Sequence, residues 1–211
     1  MKLMHSSTII FITGGPGTGK SFAAREIAGQ IDDLTLISYD AIKEKEWDRF
    51  GFDTKEEKDR LNWFSLEEFY LTLQKCMREG KTILTEYPFY ERHRDELHSL
   101  VQKYNYSAIT LLLEGDWRVI YDRGIQRDKS GNASAKRHPG HLTNHYLLGE
   151  NAPSDAFVPD AILTYEEFRS GIDAKNYDIQ IGETIRIDVT DLDKTDYERI
   201  ISRILEIDSA H

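Results

Sequence analysis

The chain has 211 residues, of which 37 are acidic and 27 basic, so its formal net charge is −10, and 39% of its residues are hydrophobic. This length and apolar content suit a single folded domain spanning residues 1–211 and exclude a largely disordered chain. The one cysteine, Cys76, excludes an intramolecular disulfide framework, and the excess of acidic side chains disfavours bulk nucleic acid as a partner.

Short apolar runs alternate along the chain with segments of helical periodicity. The first run, 9–12, is much shorter than a signal peptide or a membrane span, so we expect a cytoplasmic protein without a membrane partner. The apolar runs predict strands over residues 8–12, 34–38, 81–86, 108–113, 161–164 and 184–189. Helical periodicity predicts helices over about 20–30, 65–79, 91–103, 116–126 and 197–207.

Two of these helices carry further signals. Ser65 is followed three residues later by Glu68, which is a capping-box pattern, so the second helix is predicted to begin at Ser65. Gly80 is a typical stop for the same helix. The first helix has an apolar stripe that is predicted to face the core, formed by Phe22, Ala23, Ile27 and Ile31.

The alternation of strands and helices predicts an α/β fold with three layers, α/β/α, around a mainly parallel five-stranded sheet. Ligands of such sheets bind at the carboxyl ends of the strands. The residues that end the first four strands are therefore predicted to lie along one rim, namely 14–21, 39–40, 86–87 and Glu114. The polar and aromatic segment of about 41–64 and the basic segment of about 127–153 are predicted excursions from this core.

The segment after the first strand, Gly14-Gly15-Pro16-Gly17-Thr18-Gly19-Lys20-Ser21, matches the phosphate-binding pattern G-x-x-x-x-G-K-[ST] in full. The glycine-rich backbone points N–H groups at phosphate oxygens, and the N-terminus of the next helix favours the same negative charge. Lys20 reaches the β- and γ-phosphates, and the Ser21 hydroxyl is a ligand for Mg²⁺. We therefore predict a P-loop NTPase that binds ATP and Mg²⁺ through Gly14, Gly15, Gly17, Thr18, Gly19, Lys20 and Ser21.

The motif leaves the phosphate acceptor open between water and a substrate hydroxyl. An Asn-Lys-x-Asp guanine-recognition motif does not occur in the sequence, which disfavours a GTPase. The third strand ends Ile83-Leu84-Thr85-Glu86, which matches poorly the four apolar residues and Asp-Glu that are usual in DNA-translocating or unfolding ATPases.

Together with the P-loop, three short segments resemble the small P-loop kinases of the nucleoside- and nucleotide-kinase-like superfamily. The chain is most similar to the zeta-toxin-like and chloramphenicol phosphotransferase-like ATP-binding proteins, which are related to polynucleotide kinases. The segments are Asp40-Ala41-Ile42-Lys43-Glu44, Gly80-Lys81-Thr82-Ile83-Leu84-Thr85-Glu86 and Arg137-His138-Pro139-Gly140-His141. The resemblance covers about residues 8–205 and implies a kinase with a substrate-binding insert at 41–64 and a lid at 127–153.

In such kinases the carboxylate after the second strand lies across the cleft from the P-loop. Asp40 is therefore predicted to accept the proton of the substrate hydroxyl or to hold Mg²⁺ through water, although it could equally cap a helix beginning at Ala41. Glu86 could orient Mg²⁺-bound water or contact the acceptor, or could face solvent. Tyr87, with Phe89 and Tyr90, could line an acceptor pocket or belong to the core.

The basic segment after the fourth strand corresponds to the lid of these kinases. Arginines of a lid stabilise the negative charge that spreads over the transferring phosphoryl group. Arg127 is predicted to be catalytic, Arg123 to contact the nucleotide and Arg137 to contact the substrate; the alternative is a solvated basic turn.

Three histidines and one threonine complete the predicted site. His138 is predicted to contact substrate or phosphate, whereas a zinc site shared with His141 and His145 is a weaker alternative. Similar proteins continue His-Pro-Gly-His-x-Asp, but this chain has Thr143 and Asn144 there. Thr190, after the last strand, lies where relatives pack backbone against adenine.

The sequence thus predicts a phosphotransferase that moves the γ-phosphoryl group of ATP to a hydroxyl of a small molecule. An ATP-binding or ATPase switch that acts through a protein partner is an alternative, as is a kinase of a nucleic-acid end. The acceptor and the oligomeric state remain open.

Overall fold

The protein is described here by a computed structural model of residues 4, 7–129, 137–147 and 161–210. One five-stranded sheet forms its centre, with the strand order β2-β3-β1-β4-β5 and every pairing parallel. The strands are β1 (Thr8–Gly14), β2 (Leu34–Ser38), β3 (Thr82–Glu86), β4 (Ser107–Glu114) and β5 (Glu183–Asp188). The predicted parallel five-stranded sheet is confirmed.

Helices cover both faces of this sheet. They are α1 (Lys20–Ala28), α2 (Tyr39–Phe50), α3 (Lys55–Arg78), α4 (Glu91–Lys103), α5 (Trp117–Lys129), α6 (Tyr165–Asp173) and α7 (Tyr197–Ser209). Successive side chains of a strand point to opposite faces, and β1 shows this directly. Ile10 and Ile12 pack into a core with α1 and α7, whereas Ile9 and Phe11 pack into a second core with α3 and α4. The three-layer α/β/α prediction is therefore confirmed.

The second predicted helix begins earlier than the sequence analysis places it. The capping-box pattern occurs twice in this part of the chain, and the structure uses Thr54 and Glu57 rather than Ser65 and Glu68. The Thr54 side chain accepts a hydrogen bond from the Glu57 N–H, and Glu57 in turn accepts one from the Asp53 N–H. Ser65 lies inside α3 and donates to the Leu61 carbonyl at 2.8 Å. The prediction of a helix start at Ser65 is therefore wrong, and the first part of α3 belongs to the segment 41–64.

The predicted strand over residues 161–164 is also wrong. These residues form no regular structure and lead into α6, a helix that the sequence analysis missed. Thr164 caps α6, because its side chain accepts from the Glu167 N–H while the Glu167 carboxylate accepts from the Thr164 N–H. This capping box was readable in the sequence.

Two smaller corrections concern the first two helices. Phe22, assigned to the core-facing stripe of α1, is 41% exposed, whereas Ala23, Ile27 and Ile31 are buried. Helix α2 begins at Tyr39, whereas the sequence analysis considered a helix beginning at Ala41. Ser38 caps α2 because its side chain accepts a hydrogen bond from the Ala41 N–H. Among the described helices, none is long and apolar enough to span a bilayer.

Candidate active site

The glycine-rich turn connects the central strand β1 to α1. Gly14 has a φ of +137°, and a Cβ placed on it would lie 2.3 Å from the Leu113 carbonyl oxygen, so only glycine fits there. Gly19, with a φ of +87°, precedes α1 and provides no side-chain cap. The first-turn N–H groups of α1 therefore have no capping side chain, as a phosphate-binding helix requires.

Lys20 is buried beneath this turn. Its Nζ donates to the carbonyl oxygens of Gly14 at 3.2 Å and Gly15 at 2.9 Å. Burial lowers the pKa of Lys20 to about 8, while the nearby carboxylates of Glu86 and Asp40 act in the opposite direction. Arg137 and Arg127 add to the lowering. The structure therefore brings the P-loop lysine together with four other residues that the sequence analysis assigned to the site.

Glu86 joins the P-loop to the neighbouring strand. Its carboxylate accepts hydrogen bonds from the hydroxyls of Ser21 at 3.3 Å and Ser38 at 2.7 Å. Glu86 is only 4% exposed, so the alternative of a solvent-facing carboxylate is wrong. Burial raises the pKa of Glu86 above its usual range, against the effect of the Ser38 hydrogen bond. A hydroxyl and a carboxylate are hard oxygen ligands, so Ser21 and Glu86 fit the preferences of Mg²⁺.

Asp40 lies in the first turn of α2 and forms a 2.6 Å ion pair with Lys43. Because Ser38 caps this helix, the interpretation of Asp40 as the cap is wrong. Burial opposes the ionisation of Asp40, but Lys43, His141 and Lys20 together hold its pKa below the usual value. Asp40 is therefore an ionised carboxylate, as a proton acceptor must be.

One cavity of about 940 Å³ connects these groups. It extends from the P-loop across the start of α2 to the connection between β3 and α4. Among the predicted residues, those that line it are Gly17, Gly19, Lys20, Ser21, Asp40, Glu86, Tyr87, Tyr90, Arg123, Arg127, Arg137, His138 and His141. The shared rim predicted from the parallel sheet thus exists for the ends of β1, β2 and β3.

Other predicted residues lie outside this cavity. Gly14 and Gly15 line a separate cavity of about 260 Å³, which also contains Glu114 in an ion pair with Arg186. Thr18 is fully buried and donates to the Gly15 carbonyl, so its side chain shapes the turn.

Thr190 also lies away from the large cavity and supports the start of α5. Its hydroxyl accepts from the Asp116 N–H at 2.8 Å. The placement of Thr190 beside adenine stays a prediction.

The three arginines of the predicted lid have different partners. Arg123 donates to the carbonyl oxygens of Val189 at 2.9 Å and Gly17 at 3.3 Å, which ties the P-loop to the end of β5. Arg127 and Arg137 both approach the carboxylate of Asp128, at 2.8 Å and 3.8 Å. Residues 130–136 and 148–153 of the predicted lid lie outside the described residues.

The described part of that lid segment, 137–147, packs on α2. His141 pairs with Glu44 at 2.8 Å and His138 pairs with Asp48 at 3.1 Å. His138 Nδ1 accepts from the Gly140 N–H, so Nε2 is the protonated nitrogen that donates to Asp48.

His145 pairs with a third carboxylate, that of Asp53. The three histidines thus point to three different acidic side chains. The described part of the chain contains no cluster of three or more His, Cys, Asp or Glu side chains suited to a metal ion.

A family model described as an AAA domain, AAA_33, matches residues 9–144, which is more than half of the chain. The chain belongs to this family. No curated protein is similar enough in sequence to be matched.

Several solved structures are similar to this chain in fold. A candidate kinase from Chloroflexus aurantiacus superposes with a TM-score of 0.70 at 18% identity, covering 95% of both chains. A gluconokinase from Sinorhizobium meliloti gives 0.53 at 11% identity, covering 98% of this chain and 94% of that one. A tunicamycin resistance protein from Deinococcus radiodurans gives 0.52 at 13% identity, with coverages of 93% and 92%. At these identities the likeness is one of fold, that of the P-loop kinases.

Sequence reasoning missed several residues of the large cavity. Lys43 is buried, and its Nζ lies 4.9 to 5.5 Å from the ring centroids of Tyr39, Tyr87 and Trp47. Its position three residues after Asp40 in a helix was the signal that could have identified it. Lys175 and Tyr177 also line the cavity, but they follow the unpredicted helix α6, so no signal pointed to them.

Proposed function

We propose that the chain is an ATP- and Mg²⁺-dependent phosphotransferase that phosphorylates a hydroxyl of a small molecule in the cytoplasm. The observation that supports this proposal is the continuous cavity that places Lys20 and Ser21 at one end and the ionised Asp40 across from them. An enzyme that only hydrolyses ATP needs no cavity that extends beyond the nucleotide-binding site. The kinase-like fold is consistent with the same activity.

In this proposal the P-loop backbone and Lys20 bind the phosphates, and Ser21 holds Mg²⁺ with Glu86 beside it. The Lys20 ammonium must leave the carbonyls of Gly14 and Gly15 to contact phosphate oxygens. Bound Mg·ATP supplies the γ-phosphoryl group and the cation that neutralises its charge. Asp40 accepts the proton of the attacking hydroxyl.

Arg127 and Arg137 complete the proposed machinery. Both lie close enough to Lys20 to lower its pKa, so their positive charge reaches the phosphate end of the cavity. In the described structure Asp128 holds both guanidinium groups. We assign to them the stabilisation of charge on the moving phosphoryl group, with Arg127 foremost.

A second candidate function has a specific observation in its favour. The side chains of Trp63, Phe64 and Leu71 are 60 to 68% exposed on α3, outside the cavity. A contiguous patch of exposed apolar side chains is typical of protein-binding surfaces. An ATP-dependent switch acting through a protein partner would use such a surface.

Measurement of ADP formation separates the two candidates. The purified chain is incubated with Mg·ATP and each member of a library of hydroxylated metabolites, with bare ATP hydrolysis as the baseline. The proposed function predicts low hydrolysis alone and a rise of at least about tenfold with particular acceptors. Turnover that no acceptor stimulates, but that a protein partner does, would establish the switch instead.

A further inference from the structure

One wall of the large cavity carries hydrogen-bonding groups that the protein itself does not use. Tyr87 and Tyr177 line this wall, and neither hydroxyl has a hydrogen-bond partner within the described part of the chain. Tyr177 is 8% exposed, and burial raises its pKa to about 12. Burial also raises the pKa of Tyr87. Both phenols are therefore neutral near pH 7 and can each donate and accept a hydrogen bond.

Two cations stand beside the same wall. The Lys175 Nζ lies 5.2 Å from the centroid of the Tyr90 ring, and the Arg92 guanidinium carbon lies 5.6 Å from it. Neither cation forms an ion pair within the described residues, although the protein as a whole carries a net charge of −10. Lys175 itself lines the cavity. An unpaired cation there attracts an anion into the site.

The opposite wall is different because its polar side chains already have partners within the described residues. Lys43 pairs with Asp40 at 2.6 Å, and His141 pairs with Glu44 at 2.8 Å. Within the described residues, the groups of the tyrosine-lined wall that have no hydrogen-bond or ion-pair partner are therefore the neutral phenol hydroxyls and the positively charged Lys175. A complementary ligand presents several hydroxyl groups together with one negative charge.

We propose that the wall formed by Tyr87, Tyr90, Tyr177 and Lys175, with Arg92 beside it, binds the acceptor through an anionic group. The acceptor is then a polyhydroxylated small molecule that bears one carboxylate or one phosphate monoester. Its anionic end lies against Lys175, its hydroxyls contact the two phenols, and one further hydroxyl faces Asp40. This inference rests on the proposed phosphotransferase function.

The test uses matched trios of compounds on pentose and hexose frames, for example glucose, gluconate and glucose 6-phosphate. For each compound, kcat/KM for ADP formation and the shift of the unfolding temperature in the presence of a non-hydrolysable Mg·ATP analogue are measured. We expect at least one anionic member to exceed its neutral parent about tenfold, as for a charge-assisted contact. The carboxylate and phosphate members show which anion the wall accepts.

Two variants locate the effect. Lys175→Gln should lower kcat/KM for the anionic compound about tenfold and leave the neutral parent within about twofold. Lys103→Gln is the matched control, because Lys103 also lies 5.2 Å from a tyrosine ring, that of Tyr104, at the far end of α4. It should leave both compounds unchanged. Tyr177→Phe removes one hydroxyl and should weaken anionic and neutral compounds alike, by about fivefold.

The outcomes separate the two proposals. The inference is overturned if neutral compounds match or exceed their anionic partners, if Lys175→Gln has no more effect than Lys103→Gln, or if no anionic member binds or reacts. In each of these cases, binding of the Mg·ATP analogue in the same samples would still support the assignment of the P-loop as the nucleotide site. If that analogue itself fails to bind, the proposed function falls as well.

Discussion

The two ends of the large cavity are built in different ways. The proposed phosphate end takes its lining from one continuous segment, residues 16–21, and backbone groups and Lys20 are its predicted binding atoms. The acceptor end is assembled from side chains of α2, the connection between β3 and α4, the segment 137–147 and the residues after α6. A contiguous backbone motif can be recognised in a sequence because the spacing of its residues along the chain fixes its geometry. A site made of side chains from distant segments has no such spacing.

This contrast predicts that a change at the phosphate end impairs both Mg·ATP binding and phosphoryl transfer. A change at the acceptor end should impair the reaction with the acceptor and leave Mg·ATP binding intact. The broadest effect is expected for Lys20→Ala, which should impair both nucleotide binding and transfer. Loss of the buried ammonium should weaken Mg·ATP binding at least about 100-fold, because charge-assisted hydrogen bonds to phosphate are lost. Thermal unfolding with and without Mg·ATP measures this. Lys103→Ala is the control, and stabilisation retained by Lys20→Ala would refute the P-loop assignment.

Asp40→Asn should separate binding from transfer. Without the carboxylate, no group accepts the proton of the hydroxyl, so kcat for the best acceptor should fall by about 10² to 10⁴. Mg·ATP should still stabilise the variant. Asp59→Asn, which changes an exposed carboxylate on α3, is the control. Full transfer activity in Asp40→Asn would remove Asp40 from the mechanism and leave only its ion pair with Lys43.

His93 tests the packing behind the acceptor wall. Its ring is 2% exposed and contacts the rings of Tyr87, Phe89 and Tyr90. Burial lowers the pKa of His93 from 6.5 to about 4, so the folded state stays unprotonated while the unfolded state takes up a proton below pH 6.5. The free energy of unfolding should therefore fall as pH falls from 6.5 to 4, by about 3 kcal/mol at most from this group.

The measurement is urea unfolding of the native protein and of His93→Gln across this pH range. The variant should lose less stability on acidification than the native protein does. His98→Gln, at an exposed position of the same helix, should keep the native pH dependence. If the native protein and His93→Gln lost equal amounts of stability on acidification, protonation of His93 would not be the cause of the loss.

The smallest effect is expected for Gly140→Ala, which tests how the segment 137–147 packs on α2. A Cβ at Gly140 would lie 2.5 Å from the Trp47 ring, so the segment must shift, at a cost of about 1 to 3 kcal/mol. We expect KM for the acceptor to rise about fivefold while Mg·ATP binding changes less than twofold. Gly171→Ala, where an added methyl meets no atom within 4 Å, is the control. Equal effects on acceptor and nucleotide would show that the two ends are not independent.

The strands, α4 and the P-loop were predictable because each depends on local pattern. Apolar runs of five or six residues between turn signals favour buried strands. The errors came where two local signals competed. Thr54-x-x-Glu57 and Ser65-x-x-Glu68 both match the capping-box pattern, and in the longer helix Asn62 accepts hydrogen bonds from Tyr39 and Trp47 of α2.

By itself the sequence determined the glycine-rich turn between β1 and α1, the parallel sheet and the meeting of Asp40 and Glu86 with Lys20 at one rim. These follow from chain order, since successive parallel strands end on the same side. Only the tertiary structure decided that Lys43 pairs with Asp40, that Arg123 ties the P-loop to β5, and that Lys175 and Tyr177 reach the acceptor end. Such contacts depend on how helices and loops pack around the sheet. Side-chain contacts between residues far apart in the chain produce no periodic pattern in the sequence.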